Sequence, residues 1–187
     1  MDGGLTITPE QGDAPAVSAV PAKAVKTVRA LYTPEQRLRR DATRWTLVQG
    51  ILAPVQFLVF AVSAVLVLRS LLTGEGEFPA HISIIIKTVL LYTIMVTGAI
   101  WEKVVFGQYL FAEAFFWEDA VSFVVIALHT IYLGGLLTGR LSTRVLFLVA
   151  LAAYAVYVVN AVQFLLKLRA ARLQEARDRA SRLPESA

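Results

Sequence analysis

Four long apolar stretches set the pattern of the chain, at about residues 45–70, 82–101, 116–137 and 145–166. From Trp45 to Leu68 there is no charged side chain. As a helix that segment measures about 36 Å at 1.5 Å per residue, enough to cross a hydrocarbon core of about 30 Å. Val145 to Leu166 is equally free of charge. The stretches are joined by Thr73-Gly74-Glu75-Gly76-Glu77-Phe78-Pro79, by a mixed aromatic linker over residues 104–113, and by Gly139-Arg140-Leu141-Ser142-Thr143-Arg144. The first and last are short and turn-rich, so consecutive spans run antiparallel. The expected fold is all-α, an integral membrane four-helix bundle over residues 45–167. Pro54 is expected to kink the first span. Lys87 interrupts the second about 8 Å from its end, where it is expected to snorkel outward.

Polar segments flank this domain. Residues 1–30 carry Gly3, Gly4, Gly12, Pro9, Pro15 and Pro21 without a sustained apolar period, the composition of a disordered tail. A basic region followed by an apolar one is missing there, which argues against a cleaved signal peptide. Thr33-Pro34-Glu35-Gln36 looks like a capped helix start. With Arg37, Arg39, Arg40 and Arg44 it makes residues 31–44 an amphipathic lead-in on the membrane surface. Residues 168–187 are expected to form a helical cytoplasmic tail, with Arg169, Arg172, Arg177, Arg179 and Arg182 among Glu175 and Asp178.

Composition agrees with the pattern. The chain of 187 residues is 57% hydrophobic and 17% charged, with a mean hydropathy of +0.62, outside the usual soluble range. Cysteine is absent, which excludes disulfides, thiolate zinc sites, iron–sulfur clusters and covalent haem attachment. The net charge of +4 comes from arginines beside the apolar blocks, the distribution of topology signals and lipid contacts rather than of a nucleic-acid patch. Basic residues cluster before the first span, at Lys103 and after the fourth, against Arg140 and Arg144 on the other side. Both termini are therefore expected in the cytoplasm.

The chemistry gathers toward that side. Glu118 and Asp119 follow Phe115-Phe116-Trp117 where the third span begins, with Glu102, Asn160 and Gln163 at the same end of the bundle. Carboxylates at a membrane boundary are costly to keep and suit proton transfer. On a helix Glu118, Ser122 and His129 fall within about 40° of one another, and Asn160, Gln163 and Lys167 make a second polar stripe facing the first. Gln49 and Gln56 share one face of the first span. Plainer readings stand beside these. The helix dipole favours acids in a first turn, amides glue helices together, and Trp45, Trp101 and Trp117 suit an aromatic belt. His129 could make a buried hydrogen bond or serve a function. A bis-histidine haem is set aside, since His81 and His129 differ in depth by roughly 13 Å. A proton-transferring enzyme, a proton or small-solute pathway and a scaffold subunit all remain open on these grounds.

Longer strings narrow the choice. Tyr32-Thr33-Pro34-Glu35-Gln36-Arg37, Trp45-Thr46-Leu47-Val48-Gln49-Gly50, Leu91-Tyr92-Thr93-Ile94-Met95-Val96-Thr97-Gly98, Ile100-Trp101-Glu102-Lys103 and Phe115-Phe116-Trp117-Glu118-Asp119, with residues 160–172, resemble the 3-vinyl bacteriochlorophyllide hydratase family, also called 2-vinyl bacteriochlorophyllide hydratase. The resemblance covers about residues 31–173. It implies a hydro-lyase of bacteriochlorophyll a synthesis, in the cell inner membrane or photosynthetic intracytoplasmic membrane. The implied reaction adds water to the 3-vinyl group of chlorophyllide a or 3-vinyl bacteriochlorophyllide a and gives the 3-(1-hydroxyethyl) product. Water is then the co-substrate, the substrate brings its own magnesium, and no further cofactor is expected. Partners would be the pigment, the bilayer and other enzymes of the pathway.

Hydration of a vinyl group needs an acid for the terminal carbon and a base to steer water. Glu118 or Asp119 is expected to give the proton, with Glu102 or the other member of the pair orienting water. Trp117, Phe116 and Trp101 offer flat surfaces to a macrocycle, and Asn160, Gln163, Gln49 and Gln56 are candidate polar contacts. His129 is a candidate axial ligand of the substrate magnesium. The alternatives are a pigment-carrying scaffold without catalysis, or a proton or small-solute pathway.

Overall fold

The computed structural model describes residues 31–180, apart from the side chain of Asp178. The expectations for residues 1–30 and for residues 181–187 of the tail fall outside that range. Among the described residues there are five helices: α1 (Pro34–Ala42), α2 (Arg44–Thr73), α3 (Glu77–Phe106), α4 (Phe116–Thr138) and α5 (Thr143–Ala180). Each of α2 to α5 is long and apolar enough to cross a membrane. The shortest, α4 with 23 residues, measures about 35 Å at 1.5 Å per residue.

Local chemistry explains the boundaries. Thr33 caps α1 in a reciprocal box with Gln36, 3.2 Å from Thr33 Oγ1 to the Gln36 amide and 2.9 Å from Gln36 Oε1 to the Thr33 amide. Thr43 ends α1 and caps α2. Gly74 and Gly76 take left-handed conformations, φ 73° and 78°, between α2 and α3. The acidic connection is shorter than its turn-rich composition suggests. α3 starts at Glu77 and takes Pro79 into its first turn, where the missing N–H has no partner to lose. Pro54 lies inside α2, which continues past it as one helix.

α2 and α3 pack closely as one antiparallel hairpin, α4 and α5 as a second, and α1 rests against α3. Three buried clusters join them. Val67, Ile84, Tyr132, Phe147 and Tyr154 fill one end, Leu91, Val125 and Tyr157 the middle, and Tyr32, Val105, Phe115 and Ala171 the other end. The last is called the carboxyl end below. Leu47, Leu58, Val62, Val65, Val96 and Leu165 are exposed on the outside, as a surface facing acyl chains requires.

The interior is not wholly apolar. Ser63 Oγ lies 2.7 Å from Ser83 Oγ and 2.6 Å from Tyr154 Oη. His81 Nδ1 lies 2.6 Å from Tyr132 Oη, and on the outer surface Tyr92 Oη lies 2.7 Å from Thr130 Oγ1. The Ser63–Ser83 contact lies within the first hairpin, and the other three tie the hairpins together where the hydrophobic effect cannot, since lipid is as apolar as leucine.

Lys87 overturns the expectation of snorkelling. It is completely buried, with Nζ 3.7 Å from the centroid of the Tyr157 ring and 3.1 Å from the Gln56 side-chain oxygen when that amide is turned toward it. The cause is helix phase. Ala80, Ile84, Lys87 and Leu91 form one stripe at helical spacing, and all four are buried against the other helices.

Candidate functional site

The site is made by the connection between α3 and α4. Gly107 ends α3 at φ 87°, and Lys103 Nζ donates to its carbonyl at 2.7 Å, a cation at a helix C-terminus. The chain then turns back through Phe111, whose φ of 58° is left-handed, a conformation that a bulky side chain rarely adopts. Two consecutive amides are thereby aimed at two carboxyl groups. Phe111 N donates to Asp119 Oδ2 at 2.7 Å, and Ala112 N donates to Glu102 Oε2 at 3.1 Å. The Phe111 ring holds the strained residue in place by stacking on Phe123, with centroids 5.4 Å apart and planes 9° from parallel.

Glu102 from α3 and Asp119 from α4 are brought together by these two consecutive amides, and each is 5% exposed. Two carboxyl groups so placed can hold one proton between them. Glu118 faces elsewhere. Its Oε2 lies 2.5 Å from Lys167 Nζ of α5, and the same ammonium donates to the Ala114 carbonyl and sits 4.9 Å from the Phe115 ring centroid. One turn deeper, Asn160 Nδ2 donates to Ser122 Oγ at 2.8 Å. The two polar stripes expected on α4 and α5 thus meet.

A cavity of about 440 Å³ adjoins the turn that holds the carboxyl pair, lined by Leu31, Thr33, Gln36, Phe106, Gln108, Ala112, Glu113 and Ala114 but by neither Glu102 nor Asp119. Ala112, which bonds Glu102 through its amide, is part of the wall. The other wall is α1 and the residues before it, clasped from above. Arg40 Nη1 reaches Glu175 Oε1 of α5 at 3.0 Å and stacks its guanidinium 4.9 Å over Tyr32. Burial pushes the Tyr32 phenol up to about 12, so it remains neutral under that cation. Arg40 O accepts from Thr46 Oγ1 at 2.6 Å, and Thr46 Oγ1 accepts from Trp101 Nε1 at 2.9 Å.

The family model for 2-vinyl bacteriochlorophyllide hydratase matches residues 32–170, which include every carboxyl and amide of this site. The chain belongs to the 2-vinyl bacteriochlorophyllide hydratase family. It is similar to the 2-vinyl bacteriochlorophyllide hydratase of Rhodobacter capsulatus, 70% identical over 155 residues, covering 83% of this chain and 90% of that protein. It is likewise similar to the 2-vinyl bacteriochlorophyllide hydratase of Cereibacter sphaeroides, 72% identical over 145 residues, covering 78% of this chain and 90% of that one. No solved structure matches it.

Among the residues singled out from sequence in this hydratase-family chain, Glu102, Glu118 and Asp119 come together at the carboxyl end, with Asn160 one turn deeper against Ser122. Trp101 packs edge-on against Phe106 and Phe115, with centroids 5.7 Å and 5.6 Å away, as part of the wall behind the site. Phe116 and Trp117 point outward, 46% and 70% exposed. Gln49 bonds Thr97 at 2.8 Å and Gln56 turns to Lys87, so neither joins the carboxyl group. His129 is fully enclosed, with Nδ1 2.8 Å from the Val125 carbonyl. It lies about 15 Å from Asp119 along α4 at 1.5 Å per residue. Among the described residues no group of three His, Cys, Asp or Glu is placed to hold a metal.

Sequence reasoning missed the amides of Phe111 and Ala112 and the α1 wall. Gly107 was the available signal for the first, since a glycine that ends a helix marks a sharp change of direction.

Proposed function

We propose that the chain hydrates the 3-vinyl group of chlorophyllide a or 3-vinyl bacteriochlorophyllide a, and that the Glu102–Asp119 pair does the proton chemistry. One observation carries this assignment of residues: two buried carboxyl groups from different helices, each held by one of two consecutive backbone amides, at the end of an apolar bundle where a cavity adjoins the turn that holds them. The protonated member gives its proton to the terminal vinyl carbon. The π pair forms that C–H bond and leaves a cation at the inner carbon, which the macrocycle delocalises. Water adds to the inner carbon, and the ionised carboxylate accepts the proton that water loses. The pair ends with the same single proton, and no electrons are exchanged with a cofactor.

The neighbours support this division. Glu118 is occupied by Lys167 and serves as fixed charge beside the pair. The ring of Phe106 lines the cavity and offers the pigment an apolar surface. His129 has no part at the magnesium in this reading, because it is enclosed and displaced along α4. The arginine distribution puts both termini, and with them the carboxyl end, on the cytoplasmic side of the inner membrane or its photosynthetic extensions. Pigment reaches the site from the bilayer or from neighbouring enzymes of the pathway.

The test is expression in a host lacking the pathway, with chlorophyllide a supplied and pigments read by mass. A product heavier by one water is expected, absent from Asp119→Asn and Glu102→Gln variants that still insert into membranes. Pigment retention without conversion by the wild-type chain would instead favour a carrier.

A further inference from the structure

Three buried side-chain acceptors on α4 and α5 take no hydrogen bond from any described residue: His129 Nε2, Asn160 Oδ1 and Gln163 Oε1. Two of the orientations follow from the partners these side chains do have. The ring nitrogen of His129 that faces the Val125 carbonyl must carry the proton, since a carbonyl only accepts, so Nε2 keeps its lone pair. Asn160 spends its amide N–H on Ser122, which leaves its oxygen as an acceptor. The deficit at His129 Nε2 is therefore of a hydrogen-bond donor, and at the Asn160 and Gln163 amides it is of a small partner that can donate to the free oxygen.

Their placement follows a path. Asn160 bonds Ser122 of α4, and Lys167, about two turns further along α5, bonds Glu118, about one turn from Ser122 toward the carboxyl end. Gln163 falls between Asn160 and Lys167 along α5, and so between the two places where that helix bonds α4. It is about 5 Å from Asn160 along the helix axis. His129 stands further inside the bundle. The acceptors thus step from the bundle interior toward the carboxyl pair.

The geometry points to a file of internal water along α4 and α5, held by His129, Asn160 and Gln163, that supplies the co-substrate to Glu102 and Asp119. The inference rests on the hydratase reading for its purpose, though not for the binding of water. Water is the ligand class that fits, because it is small, neutral and donates two hydrogen bonds while accepting others. Buried polar atoms without protein partners are commonly satisfied in this way. A pigment seated in the cavity would close over Ala112, whose amide holds Glu102, and each carboxyl of the pair is only 5% exposed to begin with. Water already stored behind the pair would then be the nucleophile.

The file can be read without turnover. With the full chain in lipid bilayers and its Asn and Gln side chains labelled with ¹³C, magnetisation transfer from water should build up quickly at the Asn160 and Gln163 carbonyl carbons. Gln56, at 2% exposed more deeply buried than either and with its oxygen turned to Lys87 and the Leu91 amide, should stay dark. Turnover supplies the second arm. Asn160→Leu and Gln163→Leu should each lower kcat about tenfold, as for one lost positioned hydrogen bond, with KM for the pigment unchanged. Gln163→Ser leaves room for an additional water and should retain most of the rate. Dark carbonyls at Asn160 and Gln163 in the wild-type chain, or full kcat in both leucine variants, would overturn the water file and leave the hydratase reading standing. Absence of hydrated pigment from the wild-type chain would instead remove the hydratase reading, whatever the transfer experiment shows.

Discussion

Removing the ammonium from Glu118 separates its role from that of Asp119. In a Lys167→Met variant the Glu118 side chain, 6% exposed, loses the cation 2.5 Å away. Breaking one side of a buried ion pair typically costs 3–5 kcal/mol, and Lys167 keeps 24% of its surface exposed, so the expected loss is near the lower end, about 3 kcal/mol. That is about a 150-fold fall in the ratio of folded to unfolded protein. The double variant Lys167→Met with Glu118→Gln leaves no uncompensated charge and should return to within about 1 kcal/mol of the parent. Denaturant titration in mixed micelles, followed by circular dichroism, measures both. Turnover then completes the comparison. The double variant should keep its rate within about tenfold, whereas Asp119→Asn, which removes a group positioned for proton transfer, should lose about 10² to 10⁴. An inactive double variant beside an active Asp119→Asn would refute the assignment and move the proton chemistry to Glu118.

Two further expectations concern single positions. Lys87 should resist a water-soluble amine-acylating reagent that modifies the exposed Lys103, as judged by peptide mass. Lys87→Met should fold normally, while Lys87→Ala should lose about 2–5 kcal/mol from the space it leaves in the bundle. At Gly107 a methyl group would meet no atom within 4 Å, so Gly107→Ala isolates the backbone cost of φ 87°, about 1–2 kcal/mol. By loosening the turn that aims the Phe111 and Ala112 amides, it should also lower turnover while pigment binding persists.

The membrane helices were legible because lipid demands long uncharged segments, and residues 45–70 or 145–166 satisfy that demand by composition alone. The carboxyl pair was legible only in part. Glu118 and Asp119 are adjacent in sequence, which invites treating them as a unit, yet neighbours on a helix point about 100° apart. Asp119 consequently meets Glu102 of α3, and Glu118 meets Lys167 of α5. Lys87 was misread for a related reason. Its charge suggested an interfacial site, but its place on the stripe of Ala80, Ile84 and Leu91 already pointed inward. The left-handed Phe111 had no side-chain signature, because it depends on what the loop must reach rather than on what phenylalanine prefers.

Helix α5 carries Asn160, Gln163, Lys167, Ala171 and Glu175 at successive steps of three or four residues. Along that line it engages Ser122, then Glu118, then the Tyr32 cluster, then Arg40. A rigid rod gripped at so many heights cannot slip at one of them alone. Any twist or tilt of α5 that widens the cavity for a broad flat pigment must release the Arg40 clasp, the Lys167 pair and the Asn160 amide in a single stroke. Entry of the pigment should accordingly be an all-or-none event, with one relaxation rate reported alike by probes on α1 and in the middle of the bundle.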